Sequence, residues 1–156
     1  MNLNNMALSL VSFDNLYLER SWVWLNDPYV KYYTNSKTIT KEEQLSWFNS
    51  LPNKPKYKIW GLSSDNTPIG ACGLKIQEDK CIAEYWGYIG EADYRGKGLG
   101  RAMLFLVEAQ ASLFGIEKLV LGVLKDNLPA IKLYEKSGYN TYKTTDSHYY
   151  MSKILI

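Results

Sequence analysis

Tyr94-Arg95-Gly96-Lys97-Gly98-Leu99-Gly100-Arg101 stands between an apolar run at 82–89 and a second apolar stretch at 99–114 whose spacing is helical. Its alternate glycines, Gly96, Gly98 and Gly100, take Cβ atoms off one short segment, so a ligand can approach the backbone closely. The segment ends where a helix begins, and there free N–H groups and the macrodipole favour negative charge. Arg95, Lys97 and Arg101 add cations to it. Bare amides ringed by cations suit a pyrophosphate. The stretch therefore predicts a phosphate-bearing cofactor held at a strand–loop–helix junction.

The flanking pattern sets that junction in a mixed fold. Residues 8–13 read as a first strand ending at Asp14, a good N-cap for the helix spelled by Leu16, Leu18, Trp22, Val23 and Leu25. Asn26-Asp27-Pro28 stops that helix. Residues 29–34 read as a turn of helix and then loop. Thr40-Lys41-Glu42-Glu43 is a capping box opening a helix that carries Leu45, Trp47, Phe48 and Leu51. Strands follow at 57–62, 68–77 and 81–89, turned at Ser64-Asp65-Asn66 and at Glu78-Asp79-Lys80. Past the glycine segment, the helix at 99–114 ends at Gly115. Residues 117–123 form an apolar strand which, after so short a helix, returns parallel to 82–89 by a right-handed crossover. Asn127 opens a short helix with Pro129 in its first turn and Gly138 just past its end. Residues 139–144 and 148–154 finish as a hairpin around Asp146-Ser147. No linker or repeat interrupts this order, so residues 1–156 are expected to be a single mixed α/β (α+β) domain.

Composition bounds the function. At 156 residues and 46% hydrophobic, the chain can bury a substantial core. A net charge of +2 with 22% charged residues argues against nucleic-acid binding through bulk charge. No stretch approaches the roughly 18 apolar residues of a membrane span. Met1-Asn2-Leu3-Asn4-Asn5-Met6 has no basic n-region, and the apolar run at 7–13 is too short for a signal sequence. Cys72 and Cys81 make no metal spacing, and pairing 72–77 with 81–86 sets Cys81 opposite Ile76 rather than Cys72. Free buried thiols in a reducing cytoplasm are expected, and no metal. The 13 tyrosines and 5 tryptophans predict aromatic walls as well as core.

A glycine-rich strand–loop–helix unit has several uses. A dinucleotide fold wants G-x-G-x-x-G, whereas here Gly100 follows Gly98 after one residue and Arg101 comes next. A P-loop wants Lys-Ser or Lys-Thr at its close, and neither is present. Arg95-Gly96-Lys97-Gly98-Leu99-Gly100 instead resembles the R/Q-x-x-G-x-G/A motif of the GNAT superfamily of acetyl-CoA-dependent N-acetyltransferases. Asn127-Leu128-Pro129-Ala130-Ile131-Lys132-Leu133-Tyr134-Glu135-Lys136-Ser137-Gly138-Tyr139 is similar to the downstream N-x-x-A-x-x-x-Y-x-x-x-G-F segment of that superfamily. The order of elements extends the resemblance over essentially the whole chain. It implies a single-domain GNAT fold: a central mixed, mostly antiparallel sheet of six to seven strands, flanked by about four helices, with splayed parallel central strands.

The resemblance also implies the chemistry. Backbone amides around Arg95, Gly96, Lys97, Gly98, Leu99, Gly100 and Arg101 would hold the pyrophosphate of acetyl-CoA. The pantetheine arm would add to the strand edge at Tyr88, Ile89 and Gly90, and an unpaired edge does offer amides to such a ligand. One of those N–H groups could polarise the thioester carbonyl. Tyr134 is the expected general acid for the departing thiolate, its phenol having an ordinary pKa of about 10. Asn127 would cap its helix and touch the cofactor through its amide. The amine attacks directly, so no nucleophilic Ser or Cys is needed, which fits a chain with one His.

A base must take the ammonium proton. Glu84, a carboxylate within an apolar strand, is the first candidate, directly or through water. His148 is the second, while Asp93 is expected to shape the loop. For the acceptor wall the resemblance points to Trp22, Trp24, Asn26, Asp27, Tyr29, Tyr32 and Tyr33, with Trp86, Tyr149 and Tyr150; Trp22 and Trp47 are expected to pack between helices and sheet. Trp24-Leu25-Asn26-Asp27-Pro28-Tyr29-Val30 and Ile39-Thr40-Lys41-Glu42-Glu43-Gln44-Leu45-Ser46-Trp47-Phe48 resemble two GNAT subgroups, one acetylating ribosomal-protein N-termini and one acetylating nucleotide-linked amino sugars. An aromatic surround suits a sugar or base. The expected partner is thus a small-molecule amine such as an amino sugar, with no nucleic acid and no membrane; a homodimer stays open. The alternatives are a protein N-terminal acetyltransferase, a non-catalytic acyl-CoA sensor and a Rossmann-type oxidoreductase.

Overall fold

The computed structural model describes residues 7–79 and 81–155. Met1–Met6 and Lys80 lie outside them, and with them the N-terminal reading and the last residue of the expected second turn. Asp65 and Asn66 take positive φ, 48° and 68°, which makes a two-residue hairpin turn matched to strand twist. It joins β2 (Tyr57–Ser64) to β3 (Thr67–Ile76), which pairs in turn with β4 (Ile82–Ile89). Ile76 faces Ala83 rather than Cys81. Cys81 falls in the turn and is only half-buried, while Cys72 is buried; both are free thiols. β1 (Leu8–Ser12) lies antiparallel along β2.

β5 (Lys118–Leu124) runs parallel to β4, but the two are paired only where Ile82–Glu84 meets Lys118–Val120. Beyond Glu84 they part. β5 is held from its other side along its whole length by β7 (His148–Ile154), and β6 (Asn140–Thr144) forms the edge. The seven-stranded mixed sheet therefore has the order β1-β2-β3-β4-β5-β7-β6, opened as a V between β4 and β5.

Among the described residues five α-helices flank it, where about four were expected, and the fold is the one expected. Asp27 both ends α1 (Asn15–Asn26) and accepts hydrogen bonds from the Tyr29 and Val30 amides, which starts the six-residue α2 (Pro28–Tyr33). Asp14 caps α1 through the Tyr17 amide at 3.1 Å. Thr40 caps α3 (Lys41–Ser50) through the Glu43 amide at 3.1 Å, as its capping box predicts. The helix α4 (Leu99–Leu113) closes with Gly115 at φ 79°, where Ile116 N–H donates to Ala111 and Gly115 N–H to Ser112. That is a Schellman end. α5 spans Leu128–Lys136.

Strand alternation divides the residues between two faces. Leu74, Ala83, Tyr85, Leu119 and Leu121 join Met103, Leu104 and Val107 of α4 in one core. Each large apolar side chain buried there stabilises the fold by about 1.5–3 kcal/mol. The opposite face of β2–β4 carries α1, with the Tyr17 ring filling the space where a Gly61 Cβ would go. On that face lie Tyr57, Glu84, Trp86, Tyr88, Val120 and Tyr150, by the registers of their strands.

Candidate active site

The glycine segment divides its labour. Gly96 and Gly98 take φ of 71° and 77°, and nothing lies within 4 Å of where either Cβ would sit. Gly98 is the N-cap of α4 and offers no side-chain cap, so the first amides of the helix, beginning with that of buried Leu99, stay bare. Gly100 serves packing instead: a Cβ there would meet Leu133 Cδ1 at 3.1 Å, so this glycine lets α5 lie close to α4. Arg101, exposed on the first turn, lines the cleft that opens here, as do Asn127, Lys132 and Lys136; Lys97 does not.

Arg95 lines the cleft as well, with its guanidinium engaged by the protein. Its Nε donates to the Ile89 carbonyl at 3.1 Å and its Nη2 to that of Gly90 at 2.9 Å. The guanidinium lies 4.4 Å over the Tyr29 ring and 3.8 Å from Asp27. It ties the end of β4 to the α1–α2 corner. Asp93 sits exposed in the 3-10 turn Ala92–Tyr94 that leads into the loop.

Gly90 N–H donates to the Ile69 carbonyl at 2.7 Å. By antiparallel alternation, Tyr88 and Gly90 then spend their backbone groups on β3, whereas Gly87 and Ile89 turn theirs toward β5, into the V. Of the three residues expected to receive an added strand, only Ile89 presents its N–H to the gap, and Gly87 joins it. Gly87 carries a sequence signal of its own, since a glycine inside a strand marks close backbone approach.

Tyr134 is positioned by the two ends of its helix. Asn127 Oδ1 accepts from the Ala130 amide at 3.3 Å. At the other end Gly138 takes φ 96°, Tyr139 N–H donates to the Tyr134 carbonyl at 2.9 Å and Gly138 N–H to that of Glu135 at 3.1 Å. The hydrophobic contact of this Schellman end is between the two tyrosine rings, 5.9 Å apart. Tyr85 packs edge-on against Tyr134 from β4 at 6.5 Å. Burial pushes the Tyr134 phenol up to about 12, which keeps its proton in place.

Glu84 sits on the other face, at the vertex of the V, exposed and lining the same cleft of about 1440 Å³. It is a carboxylate on an open face, not one sunk in apolar surroundings. Val120 and Gly122 form a low floor beside it, walled by Tyr57 and Trp86 on one side and Tyr142 and Tyr150 on the other. His148 also lines this trough, its Nδ1 2.6 Å from Ser147 Oγ and its ring stacked on Tyr150. Tyr29 and Tyr33 line the cleft as expected; Trp22, Trp24, Asn26, Asp27, Tyr32 and Tyr149 do not. Trp24 is a buried strut whose Nε1 donates to Glu91 at 2.9 Å and whose ring fills the space beyond Gly90. The Tyr32 hydroxyl donates to Asp126, which links α2 to the loop before α5. Trp47 packs edge-on to Phe13 at 5.8 Å and still reaches the cleft. Gln44, nearly buried, also lines it and donates to Ser21 at 2.6 Å.

No thiol here is a ready nucleophile. Burial pushes the Cys72 thiol well up, and the negative charge of Glu117 raises that of Cys81. Among the described residues no group of three His, Cys, Asp or Glu side chains could hold a metal ion, and no helix is long and apolar enough to cross a membrane. The bare amides of α4, the open space beyond Gly96 and Gly98, and the outward backbone of Gly87 and Ile89 fit a long, amide-bearing phosphate ligand.

The sequence model described as the acetyltransferase (GNAT) family matches residues 19–139. Among curated proteins, the chain is 30% identical to the uncharacterized N-acetyltransferase YdgE of Bacillus subtilis over 69% of this chain and 71% of the other. It is 38% identical to the spermine/spermidine N(1)-acetyltransferase of that species over 53% and 59%. Among solved structures, spermidine N-acetyltransferase from Vibrio cholerae, in complex with CoA and spermine, shares the fold with a TM-score of 0.87 at 17% identity, covering 95% of each chain.

Proposed function

The chain belongs to the acetyltransferase (GNAT) family and is an N-acetyltransferase; from that premise we propose that residues 1–156 act as one domain that transfers the acetyl group of acetyl-CoA to a primary amine of a small molecule such as an amino sugar. The carrying observation is the parting of β4 from β5, which opens the amides of Gly87 and Ile89 between Tyr134 on one face and Glu84 on the other. The amides of α4 beyond Gly98, with Arg101, Lys132 and Lys136, receive the phosphates of the donor, and Asn127 borders them. The gap-facing N–H groups polarise the thioester carbonyl. Glu84, directly or through water, takes the ammonium proton; the neutral amine forms the C–N bond as the C–S bond breaks; and Tyr134 Oη gives its proton to the sulfur. The second proton of the acylated nitrogen returns through water to the phenolate, leaving a neutral amide and a neutral Tyr134.

Two features favour direct attack in a ternary complex over a covalent enzyme intermediate. Both thiols are held protonated, and donor and acceptor sides open on the same gap. Aromatic walls at Tyr57, Trp86 and Tyr150 suit a sugar ring. The test is thiol release from acetyl-CoA with a panel of small amines. Release that requires an amine supports the proposal; tight acetyl-CoA binding with no release for any amine rejects it in favour of a sensor.

A further inference from the structure

On the face that carries Glu84, the register sets Lys75 beside it on β3 and Lys118 two pairs back on β5, while Lys143 lies across the trough on β6, opposite Tyr150. Each ammonium rests over a tyrosine ring: Lys75 over Tyr57 at 5.6 Å, Lys118 over Tyr142 at 5.8 Å and Lys143 over Tyr150 at 5.4 Å. None of the three meets a carboxylate within ion-pair distance among the described residues, although Arg20, Lys56, Arg95 and Lys153 all do. A lysine lying on a phenol face keeps its charge in one place with its N–H donors unspent. Lys75 and Lys143 line the trough together with Glu84 and Glu43, whose carboxylate accepts from the Thr40 hydroxyl at 3.3 Å, while Lys118 lies over Tyr142 outside that lining. A lining that sets ammonium groups and carboxylates side by side favours a molecule that carries both an amine and its own negative charge.

We propose that the acceptor is an amine that also carries a phosphate-type anionic group, with Lys75 and Lys143 receiving the anion while Glu84 faces the amine. The proposal rests on the reading of this trough as the acceptor site. The lysines act by binding; the proton and bond changes are those already given for the amine.

Thiol release from acetyl-CoA is measured with glucosamine 1-phosphate, glucosamine and spermidine, and with a short peptide bearing a free N-terminus. The expected result is a kcat/KM for glucosamine 1-phosphate about tenfold or more above that for glucosamine, with spermidine lowest. Added salt should erode that advantage, because the contacts are exposed. The variant K75Q/K143Q should bring the two sugars level while the KM for acetyl-CoA stays unchanged. Lys143→Gln alone, on the exposed edge strand, should remove part of the advantage without a folding defect. Equal kcat/KM for the two sugars in the unsubstituted protein, an advantage that survives the double substitution, or spermidine as the best of the three overturns the proposal. Release with the peptide alone, or with none of the four, overturns the small-molecule reading beneath it and the lysine argument too.

Discussion

Tyr134 owes its usefulness to neighbours that a helical wheel does not reveal. Its ring is pinned by Tyr139, delivered by the left-handed turn at Gly138, and by Tyr85 from the strand beside the gap. Tyr134→Phe keeps that packing and removes the proton, so kcat should fall about a hundredfold with the KM for acetyl-CoA little changed. Unchanged turnover at saturating amine would remove the role. The phenol, pushed up to about 12, remains protonated through neutral and mildly alkaline pH. The alkaline limb of kcat should therefore lie well above the ordinary phenol value of about 10; a limb centred at that value contradicts the assignment. Gly98→Ala asks an L-residue to hold φ 77° at the mouth of α4. It should cost about 1 kcal/mol of stability and weaken acetyl-CoA binding, read by titration calorimetry.

The ends of helices were the most legible elements. Asp14, Thr40, Asn127, Gly115 and Gly138 each do what their residue type announces, because capping is settled within one turn of the chain. What the sequence hid depends on distant partners. Gly100 spells the same letter as Gly96 and Gly98 yet serves the contact with Leu133 of α5. Arg95 reads as a loop cation, and the contacts it also makes with Tyr29 and Asp27, far upstream, are not legible in its own segment. The choice between Tyr88 and Gly87 as the amide facing the gap hangs on register, which the hairpin between β3 and β4 sets. Because Gly138 is the pivot of the α5 end, Gly138→Ala should cost about 1 kcal/mol in urea unfolding and also lower kcat, through Tyr134. A stability loss with no change in kcat would separate the two.

At the scale of the molecule, the sheet is two antiparallel wings joined by one short parallel seam, and Glu84, Gly87, Ile89 and Tyr134 lie around the opening at its end. The wings also share a common weakness toward alkali. Burial pushes the phenols of Tyr57 and Tyr134 up to about 12. A pKa raised by folding means stability that is complete below the unfolded value of about 10 and is lost as pH rises through the folded value. Melting temperature should accordingly hold to about pH 10 and then decline toward pH 12. A decline that Tyr57→Phe and Tyr134→Phe leave untouched would assign it elsewhere. Acetyl-CoA should raise the melting temperature at neutral pH, and NAD(H) should not.

The most direct test of direct transfer across the β4–β5 gap follows labelled acetyl-CoA in a single turnover with glucosamine 1-phosphate, reading the label on the amine and on the intact protein by mass spectrometry. The account predicts acetylated amine in step with released thiol, and no acetylated protein when the amine is withheld. Label held on the protein at Cys72 or Cys81, or thiol released without an acetylated amine, would contradict it.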